Sequence, residues 1–302
     1  MPSVKSVVKT VLGLGLAVFA SVALRAETLT IATYNVENYG SVGRVTAVGY
    51  RTDYPKPEKE KVALRGVIRA LGADLLVMQE MGDASYLEEL ALDLRAEGLD
   101  YPHRALLDGP DGERHVAVLS RRPLKRIVPH ANLTFGYLGA TESVKRGLLE
   151  VVVEAGGGEV TLFAVHLKSR LTERTEDPQS EGRRAAEAGA VRDRILQRFP
   201  DPARARFVIA GDFNDGPSSR TMERMLARGA TTVGALVPAA DSRSETWTYH
   251  YAREESYSRF DHLLVSAALK GAIVGGKARI FDGAGVAEGS DHRPVVMTLE
   301  LK

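Results

Sequence analysis

Apolar and polar residues follow two rhythms along this chain. Leu29 to Tyr34 alternates apolar and polar and reads as a strand closing in Asn35-Val36-Glu37-Asn38. Residues 39–57 hold Gly, Tyr and two prolines without a period and read as a long exposed loop. From Lys59 the period lengthens: Leu64, Val67, Ile68 and Leu71 share one helical face, and Gly72 follows as a cap. Asp74 to Gln79, with the apolar run Leu75-Leu76-Val77-Met78 at its centre, reads as a buried strand, and it ends at Glu80. A second amphipathic helix carries Leu87, Leu90, Ala91 and Leu94 inward. Val116–Ser120 is a further strand. Arg146–Val153 and Glu159–His166 form a hairpin about Ala155-Gly156-Gly157-Gly158.

After a polar stretch at 169–180, Glu181 to Phe199 reads as a helix with Ala188, Val191, Ile195 and Phe199 inward. The run Phe207-Val208-Ile209-Ala210-Gly211 is a strand that ends in Asp212-Phe213-Asn214 and turns at Asp215-Gly216-Pro217. A short helix near Arg220–Leu226, an aromatic segment Trp247–Tyr257, strands at Phe260–Ser266 and Pro294–Leu301, and a glycine-rich loop at 281–290 complete the chain. No repeat and no linker divides it. Alternating strands and helices with at least one tight hairpin predict mixed sheets covered by helices.

Composition narrows the chemistry. There is no cysteine, so thiolate zinc sites and cysteine nucleophiles are excluded, and any metal must sit on oxygen or imidazole ligands. The first 26 residues read as an export signal: Lys5 and Lys9 precede an uncharged apolar stretch, Val11–Leu24, and Ala26 closes the cleavage site. That stretch is shorter than the roughly 20 residues a spanning helix needs. Its removal takes Lys5, Lys9 and Arg25 from 40 basic residues and nothing from 39 acidic ones, leaving a slightly acidic chain. Bulk charge therefore does not grip nucleic acid, and no stable complex with it is expected.

Polar residues close one apolar run after another: Asn35, Glu80, His166, Asp212 with Asn214, Asp261, and Asp291-His292. A carboxylate at the end of a buried strand is costly unless a cation, a histidinium or a hydrogen-bond donor meets it. Several such residues imply mutual partners. Taken singly, each has a plainer reading: Glu80 as the cap of the helix near Ala84, Asp212-Asn214 as an Asx turn, His166 as a core histidine.

Taken together, Asn35, Gln79-Glu80, His166-Leu167-Lys168-Ser169, Gly211-Asp212-Phe213-Asn214, Arg259-Phe260-Asp261-His262 and Ser290-Asp291-His292-Arg293-Pro294 resemble, in order and spacing, the endonuclease/exonuclease/phosphatase superfamily with its deoxyribonuclease I-like fold. The resemblance runs from about Leu29 to the C-terminus. It implies an α+β fold, a four-layer α/β/β/α sandwich of two mixed sheets flanked by helices, over residues 27–302. It implies a phosphoester hydrolase using Mg²⁺, with Mn²⁺ or Ca²⁺ as alternatives, and in-line attack by water. Glu80 would hold the metal with Asn35 beside it and Asp291 near; Asp212 would orient the water. Asn214, His292 and Lys168 would meet the phosphate, Asp261 would fix His292, and His166 would face the leaving group. A carboxylate partner for His166 is sought among Asp108, Asp111 and Glu113. His166 itself speaks against the abasic-site repair branch, which carries a tyrosine in this region. The expectation is an exported, monomeric nuclease acting on DNA or RNA, with a sphingomyelinase-like or small-molecule phosphodiesterase as the alternative. Arg170, Arg174, Arg183 and Arg184 are candidate phosphate contacts, and Ala131–Ala140 a candidate membrane-contacting segment.

Overall fold

The computed structural model describes Ser3 and residues 26–302, so the expected export signal falls, apart from Ser3 and Ala26, outside the described residues. Two sheets dominate. The first has seven strands in the order Ala239–Ala240, Ala278–Ile280, Val295–Leu301, Glu27–Tyr39, Leu75–Met81, His115–Ser120, His103–Leu107. The second has six: Ala235–Leu236, Asp261–Val265, Phe207–Asp212, Gly158–His166, Leu148–Ala155, Arg126–His130. Both are mixed. The first contains the parallel pair of Glu27–Tyr39 with Leu75–Met81, and the second that of Gly158–His166 with Phe207–Asp212.

The period-two pattern explains how the layers stack. In the first strand Leu29 and Ile31 point into a core shared with Val151, Leu162, Val208 and Leu263 of the other sheet. Ala32, Tyr34 and Val36 point the opposite way, onto the helices Glu58–Leu71 and Ala84–Ala96. The second sheet turns Phe163, Phe207 and Ile209 outward onto the helices Glu181–Arg198 and Arg220–Leu226. Central strands are thus buried on both faces and read as unbroken apolar runs. This is the expected four-layer α/β/β/α sandwich.

One expectation needs correction. Residues 39–57 are not a loop but mostly a hairpin, Ser41–Thr46 with Gly49–Pro55. Its side chains are largely exposed, so burial leaves no hydrophobic period to read. The candidate membrane-contacting segment Ala131–Ala140 holds the first strand and turn of a second hairpin, Thr134–Tyr137 with Ala140–Ser143. The edge strands His103–Leu107 and Arg126–His130 leave no clear mark in the sequence, because edge residues alternate with polar ones that mimic loop. Among the described residues no helix is long and apolar enough to cross a membrane.

One glycine is required by close approach. A Cβ at Gly211 would lie 2.0 Å from the carbonyl oxygen of Val165, its neighbour on the parallel strand. Gly211→Ala must push apart the two strands that end in His166 and Asp212. We expect a loss of about 2–3 kcal/mol in urea unfolding with hydrolytic activity falling in step; a loss below about 0.5 kcal/mol would mean that the backbone gives way freely.

Candidate active site

The site forms where strands from both sheets end together. Its centre is Asp212, buried at the last position of its strand. One carboxylate oxygen accepts the Asn214 backbone N–H at 2.8 Å, closing an Asx turn. The other accepts the side-chain amides of Asn35 at 3.1 Å and Asn214 at 3.2 Å. His166 Nε2 stands 3.6 Å from that oxygen and His292 Nε2 4.0 Å. The plain Asx-turn reading of Asp212-Asn214 is thus met. Burial and the neighbouring Asp261 push the Asp212 carboxyl up to about 7, against the pull of His292 and Asn214.

His292 is fixed from behind. Its Nδ1 meets Asp261 Oδ2 at 2.7 Å, as expected from the sequence. Burial disfavours its charged form, but Asp261 and Asp212 outweigh burial, and the imidazole is held well above its usual range as a cation. Asp261 is held in turn, since the Thr248 hydroxyl accepts the N–H groups of Phe260 and Asp261, each at 3.0 Å. The Tyr249 ring packs 4.7 Å from the His292 ring. The aromatic segment is thus a wall of the site. His166 carries the opposite charge state: burial first, then the Arg146 cation, hold it neutral.

Glu80 is placed by irregular backbone. Between Asn35/Gln79 and Tyr39/Met81 the first strand runs four residues against two, and Met78–Met81 runs three against two of the next strand. These bulges leave Glu80 out of the ladder in a left-handed conformation, φ 62°, with Glu37 and Asn38 also left-handed. Its carboxylate accepts the Asn38 N–H at 3.1 Å and the Asn35 amide at 3.3 Å. The cap of the following helix is Asp83, which accepts from Ser85 N and Tyr86 N, so the plainer reading of Glu80 fails. Asp291 faces this group: burial, then Glu37 and Glu80, raise its carboxyl to about 6, although His292 pulls the other way. The buried Asn38 Oδ1 has no hydrogen-bond partner among the described residues. Carboxylate oxygens beside an orphaned amide oxygen are the donor type of a hard divalent cation, and the Lys56 ammonium, 3.5 Å from Glu37, offsets only part of their charge. Among the described residues, Asp212, Asp261 and His292 lie close enough to share an ion. The bond from His292 Nδ1 to Asp261 makes this trio a hydrogen-bonded unit of fixed orientation. Asn35 Oδ1 already accepts the Glu37 N–H at 3.0 Å, so the amide bridges Glu80 to Asp212 and its oxygen is engaged elsewhere.

Other expectations shift. Lys168 donates its ammonium to Ser169 O at 3.1 Å and to the Leu171 carbonyl, and burial with nearby Arg146 lowers it to about 8. None of the three carboxylates sought for His166 serves it: Asp111 pairs with Arg146 at 2.9 Å, Asp108 lies 3.5 Å from His115, and Glu113 pairs with Arg114. The Nδ1 of His166 is buried without a hydrogen-bond partner among the described residues. All four candidate arginines face carboxylates: Arg184 with Asp215 at 3.2 Å, Arg183 with Glu142 at 2.7 Å, Arg174 with Glu142 at 3.4 Å, and Arg170 with Asp215 at 4.0 Å. Arg170 lies over the Phe260 ring at 4.7 Å. Sequence reasoning missed Arg146, Thr248, Tyr249 and Glu187. The last is fully buried and accepts the backbone N–H groups of Lys168 at 2.8 Å and Lys145 at 3.3 Å, tying together the segments beside His166 and Arg146.

The profile of the Endonuclease/Exonuclease/phosphatase family matches residues 32–292, nearly the whole described chain. The chain belongs to this family. Members of the endonuclease/exonuclease/phosphatase family are metal-dependent phosphoesterases, and the polar strand ends described above fall within the matched span. No curated protein matches in sequence. Among solved structures, a mutant beta toxin from Staphylococcus aureus with bound magnesium ions superposes with a TM-score of 0.60 at 15% identity, covering 91% of this chain and 99% of the toxin. Streptomyces griseocarneus sphingomyelinase C gives 0.60 at 19%, covering 90% and 99%. Truncated Caenorhabditis elegans TDP2 gives 0.60 at 15%, covering 90% and 98%. At these identities the likeness establishes the fold.

The raised Asp212 pKa makes a signed prediction. Its folded value lies above the unfolded one, so its contribution to stability is complete below the unfolded carboxylate range and is lost as pH rises toward about 7. Asp212→Asn cannot ionise and escapes that loss. In EDTA, the Tm of Asp212→Asn minus that of wild type should increase from about pH 4 to about pH 8 by roughly 2–6 °C. A flat difference would show that Asp212 ionises normally.

Proposed function

We propose that this chain is an exported, divalent-metal-dependent phosphodiesterase. The observation that carries the reading is the buried constellation of Asp212 between neutral His166 and cationic His292, bridged by Asn35 to the oxygen-rich pocket of Glu80 and Asp291. Hydrolysis of a phosphodiester asks a protein mainly for positioning and charge neutralisation. Asp212, poised near neutrality, holds and deprotonates the attacking water. His292, oriented by Asp261, donates to a non-bridging phosphoryl oxygen as negative charge builds there. Asn214, whose amide is anchored on Leu167 O at 3.0 Å and on Asp212, keeps that carboxylate aimed. His166 lies on the leaving-group side. Glu80 and Asp291 would hold Mg²⁺, which supplies Lewis acidity at the phosphate; a magnesium-bearing relative of the same fold supports that ion.

The buried groups act on the phosphoryl centre and are indifferent to what hangs from it, so the rim decides the substrate. Nucleic acid, the class expected from the sequence, is one arm of the test. A lipid headgroup is the second reading, favoured by the exposed apolar side chains of the Ser41–Pro55 hairpin, which follows the Asn38 that binds Glu80.

The test is hydrolysis of bis-p-nitrophenyl phosphate, plasmid DNA, RNA and sphingomyelin with Mg²⁺, Mn²⁺ or Ca²⁺. EDTA should abolish turnover. Glu80→Ala and His292→Ala should each lower kcat/KM about 10²–10³-fold while the fold is retained. Wild-type rates in either variant would overturn the site.

A further inference from the structure

Two tight turns at the catalytic end carry the wrong kind of residue for a solvent-exposed turn. In the hairpin Ser41–Thr46/Gly49–Pro55, the tip holds Val48, 79% exposed, and the last pairs set Val45, 84% exposed, opposite Tyr50, 67% exposed. In the hairpin Thr134–Tyr137/Ala140–Ser143, the two-residue turn is Leu138-Gly139, both left-handed at φ 48° and 78°. That conformation favours asparagine or glycine. Leu138 adopts it while 52% exposed, so neither turn chemistry nor burial rewards a leucine there.

Both hairpins rise from the end that holds the site. The first begins just after Asn38, whose N–H binds Glu80 and whose carbonyl binds the Arg44 guanidinium. A cleft of about 450 Å³ separates it from the start of the helix at Glu58, so it stands clear of the body. The second follows His130, which pairs with Leu148 and so lies level with Val165, one residue before His166. The loop that leaves the sheet after His166 adds a further apolar point, Leu171, 82% exposed. Charge accompanies the apolar tips: Arg44 and Arg51 are direct cross-strand partners, a like-charged pair that calls for anions around it. Asp53 is the one acidic residue of this hairpin.

We propose that this end of the molecule docks on an anionic phospholipid bilayer, with Val45, Val48 and Leu138 entering the headgroup boundary and Arg44 and Arg51 meeting lipid phosphates. Separate aliphatic points on hairpins that leave the same end of the sheets suit a plane that is apolar within and anionic at its rim. The leading residues Val45, Val48 and Leu138 are aliphatic and offer no stacking to bases, and the exposed Tyr50 behind them suits the boundary where an apolar body meets a polar edge. The surface goes beyond the phosphodiesterase reading and does not depend on it.

The purified protein is floated with phosphatidylcholine vesicles with or without about 30 mol% phosphatidylglycerol. Wild type should rise with the anionic vesicles and less with the neutral ones. Val45→Asp with Val48→Asp should cut the bound fraction about tenfold. Leu138→Asn should also weaken binding while its Tm holds or increases, an outcome that a merely structural leucine would not give. Bis-p-nitrophenyl phosphate hydrolysis should stay at wild-type level in both variants. Absence of flotation, undiminished flotation of the aspartate variant, or binding of a DNA duplex in place of vesicles would overturn the proposal. Intact ester hydrolysis with no flotation rejects the docking alone; flotation without ester hydrolysis upholds the docking and rejects the phosphodiesterase reading.

Discussion

A single buried carboxylate sets the terms for the rest of this structure. Asp212 belongs to the second sheet, yet the first sheet's Asn35 meets one of its oxygens. Removing such a group from water costs several kcal/mol unless donors surround it. The surrounding donors come from elements far apart in sequence: Asn35, Asn214, and the imidazoles of His166 and His292. The two sheets must therefore end level with each other, and their shared apolar core holds them so. Packing between the sheets and chemistry at their rim are one constraint seen from two ends.

Strain gathers where that constraint bites. Glu37, Asn38, Glu80 and Asn214 all have positive φ, in a region most side chains avoid. Each sits next to an irregularity that redirects a polar side chain toward the common centre. The remainder of the two sheets is regular enough to over-determine these few positions, which is the circumstance in which such conformations persist.

Much of this is legible in the sequence. The doubly buried strands announce themselves as unbroken apolar runs, and a polar residue closing such a run has few ways to be comfortable. That logic finds Asn35, Glu80, His166, Asp212, Asp261 and His292. It fails where burial writes no pattern. The Ser41–Pro55 hairpin stands free of the core and so carries no hydrophobic period. Arg146 reads as the first residue of a strand, and nothing local marks it as a buried cation paired to Asp111. Lys168 shares strand parity with His166, but the chain leaves the sheet at His166 and parity ceases to govern direction. Analogy points to a carboxylate behind His166; its surroundings contain Arg146 as the dominant charge, which helps keep it neutral.

The outer helix Glu181–Arg198 lies a full layer away from the reacting centre, yet Glu187 reaches from it to grip two backbone amides beside that centre. The helix therefore acts as a caliper whose jaws are the two oxygens of one side chain. Its seating against the sheet gauges the spacing between the chain segments at Lys145 and Lys168. Repacking Ala188, Val191 or Ile195, which belong to the outer apolar layer, would reset that gauge and detune the centre from behind.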